Sequence, residues 1–124
     1  MAIKLLLDTN AVIALLNENG EIIASVNDAD EIFISIINEL EFKSFSNLSL
    51  HDVEVFDAFI SQVTVLNLQA SNVVLKNKII EIRNVYKLKL PDSIVAASAI
   101  VNNALLITAD KTFKKVANLR LKMY

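Results

Sequence analysis

No cysteine occurs in the 124 residues, which removes disulfides and thiolate metal sites and makes a reducing compartment the easier setting. The single histidine, His51, gives no imidazole set for zinc. Any metal is therefore expected to be a hard cation held by carboxylates. Tryptophan is absent, and one glycine (Gly20) and one proline (Pro91) punctuate the chain. With no linker, internal repeat or low-complexity segment, residues 1–124 read as one domain. No apolar run approaches the roughly 18 residues of a membrane span. Asp8 interrupts the first apolar run after three leucines, which does not fit a signal peptide. These absences predict a soluble, cytoplasmic protein without membrane association.

Apolar residues, by contrast, are abundant at 54%. That excess suits a sheet covered on both faces, with some left over for a subunit interface. The net charge of −2 conceals an uneven split. Residues 1–75 hold eleven Asp/Glu against Lys4 and Lys43, a balance of −9. Residues 76–124 hold ten Lys/Arg against Glu81, Asp92 and Asp110, a balance of +7. The plainer reading is two solvated faces; the functional one is a positive strip beside an acidic pocket, suited to a polyanion.

Ile3–Asn10 (IKLLLDTN) organises the chain. Three consecutive leucines fit a strand buried on both faces, which puts Asp8 at the strand's carboxyl end, where open α/β sheets hold ligands. Asp8, Thr9 or Asn10 equally suits the cap of the helix Ala11–Asn17. Gly20 marks a break, Glu21–Asn27 a second helix, and β-branched, aromatic Glu31–Ser35 a second strand. Helices are expected from Ile36 to about Phe45 and over Leu48–Ser61, then a strand at Val63–Leu66. A long amphipathic helix follows from about Ala70 to Leu88. Pro91 opens another, whose Ile94–Val101 segment is apolar nearly all round and predicts burial against the sheet. Leu105–Thr108 reads as a strand, Thr112–Ala117 as a short helix and Leu119–Lys122 as an edge strand. His51, between Leu50 and Asp52, reads as an exposed surface residue without a catalytic role. Strands alternating with helices predict a doubly covered parallel sheet.

Four acids then stand out by position. Asp8 and Asp110 follow apolar strands, Glu39 lies a helical turn beyond a third, and Asp92 opens the apolar helix. Parallel strands share one carboxyl rim, so these carboxylates are expected to converge. Singly, each has a plain explanation: Asp92 and Asp110 suit helix starts, and Glu39 suits solvent. Close carboxylates repel until a proton or a cation neutralises them, and Mg²⁺ or Mn²⁺ is the natural cation for oxygen donors. Such a site serves phosphodiester chemistry, where a metal ion activates water and offsets charge on phosphate.

LLLDTNAVIALL, ISIINELEF, LKLPDSIVAASAI and LLITADKTFKKV, in this order and spacing, resemble PIN-domain ribonucleases, and most of all the compact VapC-like toxins of toxin–antitoxin pairs. The resemblance spans essentially the whole chain. It implies a Rossmann-like three-layer α/β/α sandwich with a central parallel sheet of four to five strands. It also implies a Mg²⁺/Mn²⁺-dependent endoribonuclease acting on RNA, commonly a homodimer, paired with a small antitoxin protein. By the same resemblance Asp8 and Asp92 are the metal ligands, Glu39 the second acid and Asp110 the fourth. Thr9, Asn10 and Thr108 match the family's supporting polar positions. Many relatives carry a glycine a few residues past the second acid; Lys43 and Ser44 stand there in this chain.

Two rival readings remain from sequence. A PIN-like module with little turnover could act by binding a partner protein or RNA, as the apolar content suggests. A phosphatase using Asp8 as nucleophile would want a second acid two residues on, and Asn10 occupies that position.

Overall fold

Leu5, Leu6 and Leu7 are each at most 1% exposed, so β1 (Lys4–Leu7) is the strand around which everything else packs. The computed structural model describes residues 2–124. After β1 come α1 (Thr9–Leu16), α2 (Gly20–Asp28), β2 (Glu31–Ser35), α3 (Ile36–Lys43), α4 (Leu50–Ile60) and β3 (Thr64–Leu66). The chain continues through α5 (Val73–Tyr86), α6 (Leu90–Val101), β4 (Leu105–Thr108), a 3₁₀ turn (Lys111–Lys115) and β5 (Leu121–Met123).

The five strands lie in the order β3-β2-β1-β4-β5, and every neighbouring pair is parallel. Because side chains alternate along a strand, β1 feeds two cores. Leu6 joins Phe33, Leu106 and the inner faces of α5 and α6. Leu5 and Leu7 join Ile34 and Ile107 with Ala11 and Val12 of α1, Ile22 of α2, Phe42 of α3 and Phe56 of α4. Phe42 and Phe56 stack face to face, centroids 3.9 Å apart, which fixes α3 against α4. The result is the expected three-layer α/β/α sandwich with a five-stranded parallel sheet.

Of the segment Ile94–Val101 expected to be buried, Ile94–Ala99 is, together with Ser93, while Val101 at the end of α6 is exposed; α5 packs against α6. Elsewhere the boundaries differ for local reasons. The long helix begins at Val73 because Asn72 Oδ1 accepts the N–H of Leu75 at 3.1 Å and caps it there; residues 70–72 are a turn. The last short helix is a 3₁₀ turn at Lys111–Lys115, begun by Asp110 and ended at Val116. Asn118 then adopts a left-handed conformation (φ 66°), and the edge strand starts at Leu121, later than the apolar pattern suggests. Between α1 and α2 the positive φ falls on Glu18 (65°), not on Gly20; Gly20 is the first residue of α2. α3 ends with Ser44 in ordinary right-handed geometry (φ −88°), its Oγ donating to Leu40 O at 2.6 Å. No left-handed residue is needed there, so the missing glycine costs the turn nothing.

Candidate functional site

Parallel pairing brings the carboxyl ends of β1, β2 and β4 to one rim. The register Leu7↔Ile107 sets Asp8 beside Thr108, and the N–H of Asp8 reaches Ile107 O at 3.4 Å. Asp8 both caps α1 and faces the rim. Its Oδ1 accepts the N–H of Ala11 at 2.8 Å, while its Oδ2 accepts the hydroxyl of Thr108. Capping α1 and facing the rim are thus not alternatives, because the two oxygens divide the work.

Thr108 is fully buried and its Oγ1 also accepts the N–H of Asp110 at 3.0 Å. Asp110 caps the 3₁₀ turn through Oδ1, which accepts from the N–H and hydroxyl of Thr112 at 2.9 and 2.8 Å. Asp92 lies in the first turn of α6, whose start carries no side-chain cap but has Pro91. The amino-terminal end of α6 favours a negative charge there.

The acid on α3 that acts on this cluster is Glu41. Asp8 and Asp92 both feel the negative fields of Asp110 and Glu41. Glu39, the residue singled out from sequence, acts instead on Lys43, one turn further along the helix, whose ion pair is with Asp57 at 2.9 Å. Helix phase explains the difference. Asn38 and Phe42 are the buried residues of α3, and Glu41, three positions after Asn38, lies on the flank that faces Thr9. A polar chain holds it there: Asn38 Oδ1 accepts the N–H of Ser35 at 3.0 Å, and Asn38 Nδ2 donates to Thr9 Oγ1 at 3.2 Å. The hydroxyl of Thr9 then donates to Glu41 Oε1 at 3.0 Å. The Asn38–Glu41 spacing, read together with Phe42 as a core residue, was the available sequence signal. Asn10 is exposed in the first turn of α1.

Burial pushes the Asp8 carboxyl above its ordinary value. The hydrogen bonds from Thr108 and Ala11 work against that shift, and the fields of Asp110 and Glu41 add to it. Asp92 is raised for the same reasons, burial first and then Asp110 and Glu41, with Lys89 opposing. Tyr124 also belongs to this rim. It directly follows β5, whose Met123 pairs with Thr108, and burial and the field of Asp8 push its phenol up to about 12. Nothing in the local sequence around Tyr124 signals this; it depends on β5 pairing with β4.

The donors at the rim are all hard oxygens, and their mutual repulsion is the kind a divalent cation relieves. Among the described residues no three His, Asp or Glu side chains stand together as a ready-made metal cage. An open rim of this kind fits an ion bound by one or two carboxylates that completes its shell with water and phosphate oxygens, as Mg²⁺ does.

An open parallel sheet with acids gathered at its carboxyl rim defines a class of α/β protein whose ligands bind across strand ends. Residues 5–119 match the PIN domain family model, and the chain belongs to that family. No curated protein sequence matches the chain. Solved structures similar to it include a toxin–antitoxin complex from Klebsiella pneumoniae, with 26% identity, a TM-score of 0.76, and 93% of this chain and 94% of that chain covered. VapBC-1 from nontypeable Haemophilus influenzae is 25% identical with a TM-score of 0.79, covering 98% of each chain. VapBC2 from Rickettsia felis, bound to a DNA fragment from its promoter, has a TM-score of 0.83 at 23% identity and covers 98% of this chain and 99% of that one. The PIN fold and the VapC-like resemblance inferred from sequence are both found.

Proposed function

We propose that the protein is a Mg²⁺- or Mn²⁺-dependent endoribonuclease, the toxin of a toxin–antitoxin pair. One observation carries this reading: β1–β4 pairing sets Asp8 beside Thr108, whose hydroxyl binds Asp8 and accepts the N–H of Asp110, while Thr9 holds Glu41, and the fields of Asp110 and Glu41 reach both Asp8 and Asp92. Such a cluster is unfavourable alone and favourable around a cation. Asp8 and Asp92 would hold the ion. Glu41, in the role that sequence assigns to Glu39, and Asp110 would complete the acidic rim. A bound ion supplies an activated water at neutral pH and neutralises charge developing on the phosphate. Thr108 keeps Asp8 Oδ2 oriented, and Thr9 keeps Glu41 turned toward the rim. RNA cleavage with Mn²⁺, abolished by EDTA and by Asp8→Asn, is the expected result. Cleavage that persists in a folded Asp8→Asn protein discards the mechanism.

The partner reading has its own support. A cleft of about 470 Å³ between α1, α3 and α4 is lined by apolar residues including Ile13, Leu16, Phe45, Leu48 and Val55, with exposed His51 at its edge. Two of the similar structures are toxin–antitoxin complexes or VapBC pairs at 25–26% identity, and an apolar cleft suits the tail of a small antitoxin. Exposed Val73, Val74, Ile80 and Val85 on α5 similarly support a homodimer. Were the protein a binding module alone, it would form the complex yet show neither Mn²⁺ affinity nor RNA turnover.

A further inference from the structure

The connection between α5 and α6 holds a second charged feature, beside the acids but opposite in sign. Arg83, Asn84, Lys87, Leu88 and Lys89 line an open concavity of about 390 Å³. Its backbone is held in place. Lys87 ends α5 in the left-handed conformation (φ 58°), with its N–H returning to Arg83 O at 3.0 Å. The guanidinium of Arg83 donates through Nη1 to Leu88 O at 3.2 Å. Leu88 is buried, whereas Arg83, Lys87 and Lys89 are exposed. Among the described residues the ion pairs are Lys43–Asp57 and Lys78–Glu81, so none of these three cations is engaged in an ion pair.

The position matters as much as the charge. α6 starts at Leu90, and its first turn carries Asp92; the charge of Lys89 already acts on that carboxyl. A polyanion approaching the rim is repelled by Asp8, Glu41, Asp92 and Asp110, and attracted next to them at this loop. The side chains offered are donors without acceptors, so the ligand must be an anion rich in acceptor oxygens. An acidic peptide would also want an apolar anchor, and the one apolar side chain that lines the concavity, Leu88, is already buried in the core.

Resting on the ribonuclease reading above, we infer that the Arg83–Lys87–Lys89 concavity is a phosphate subsite that binds the backbone of single-stranded RNA beside the scissile phosphodiester. Lys87 and Lys89 supply point charges to neighbouring phosphates, and Arg83 both shapes the loop and offers its remaining donors.

The test measures binding of a short fluorescein-labelled single-stranded RNA by anisotropy, in EDTA so that no cleavage intervenes, over a salt titration. Four proteins are compared: wild type, Lys87→Gln/Lys89→Gln, Lys87→Arg/Lys89→Arg, and Lys4→Gln/Lys76→Gln, at the start of β1 and in the first turn of α5, as a charge-matched control away from the concavity. The glutamine pair is expected to bind about tenfold more weakly, with the slope of log affinity against log salt shallower by about 1.4, or about 0.7 for each phosphate that is no longer neutralised. The arginine pair and the distal control keep the wild-type slope. Wild-type affinity and slope in the glutamine pair, with an unchanged melting temperature, overturn the subsite. So does an equal loss in the distal control, or a polyglutamate peptide that binds wild type and is lost in the glutamine pair while RNA is not. Because binding is read without metal, absence of Mn²⁺-dependent cleavage by wild type would refute the ribonuclease reading and leave this result standing by itself.

Discussion

The hydroxyl of Thr108 donates to Oδ2 of Asp8 across a hundred positions of sequence, and the Thr108 Oγ1 in turn accepts the N–H of Asp110 at 3.0 Å. One buried side chain thereby ties the acid after β1 to the acid after β4. Thr108→Val keeps the shape and removes both bonds. The expected loss of stability is about 1–3 kcal/mol, seen as a lower melting temperature. Without the Thr108 hydrogen bond, which favours ionised Asp8, that carboxyl moves further up. The acidic limb of the RNA cleavage profile should therefore shift to higher pH. A limb that stays where it is in a stably folded variant contradicts this role for Thr108.

Thr9 plays the matching part on the other side of the rim. It accepts from Asn38 Nδ2 and donates to Glu41 Oε1. Thr9→Val leaves the buried Asn38 amide without this partner, at a cost of about 1–3 kcal/mol, and frees Glu41 to leave the cluster. Denaturant unfolding should show a lower midpoint with unchanged slope.

Glu41→Gln and Glu39→Gln separate the two candidate acids on α3. Glu41 acts on both Asp8 and Asp92, so its neutralisation is expected to lower Mn²⁺-dependent cleavage by about 10–100-fold, the usual effect of removing a supporting group at a metal site. Glu39→Gln should leave cleavage near the wild-type rate. The reverse ranking would restore Glu39 to the site.

That pair also marks how far sequence reasoning reached. The LLL run at residues 5–7 declares a strand buried on both faces whatever surrounds it, and LPDSIVAA declares a buried helix with an acid at its start. Asp8, Asp92 and Asp110 could be placed from such local cues because each sits at an element boundary. Glu39 and Glu41 are two residues apart on one helix, so their local context is nearly the same. Which one faces the rim depends on α3's rotation, set by Phe42 stacking on Phe56 and by Asn38 binding Thr9, contacts made with distant elements. Tyr124 was hidden for the same reason, since its neighbours come from the register of an edge strand.

Asp92 offers a stability test of the acidic rim. Burial and the fields of Asp110 and Glu41 hold its carboxyl above the ordinary 3.8, with Lys89 opposing. A raised folded-state value means that ionisation is disfavoured in the native protein. That contribution is most favourable below the unfolded value and is lost as pH rises through the folded one. In EDTA at neutral pH, Asp92→Asn should therefore melt higher than wild type, the difference shrinking as pH falls toward 3.8 and below. A variant that melts lower at neutral pH would mean that Asp92 stabilises the fold through its helix-start position more than repulsion destabilises it.

The same repulsion predicts how the protein responds to metal. A cation that binds the native rim and not the unfolded chain raises stability by about 2.7 kcal/mol at a hundredfold excess over its dissociation constant. Mn²⁺ should accordingly raise the melting temperature of wild type, and EDTA should reverse the gain. Because Asp8 and Asp92 must be ionised to bind, and both titrate above their ordinary value, the gain should fade on acidification and protons should be released on binding. Asp8→Asn and Asp92→Asn should each remove most of the Mn²⁺ shift, even though Asp92→Asn is expected to melt higher without metal. That crossing of the two effects, more stable in EDTA yet unresponsive to Mn²⁺, is what a rim of repelling ligands produces. A Mn²⁺ shift that survives both substitutions would put the ion somewhere else on the molecule.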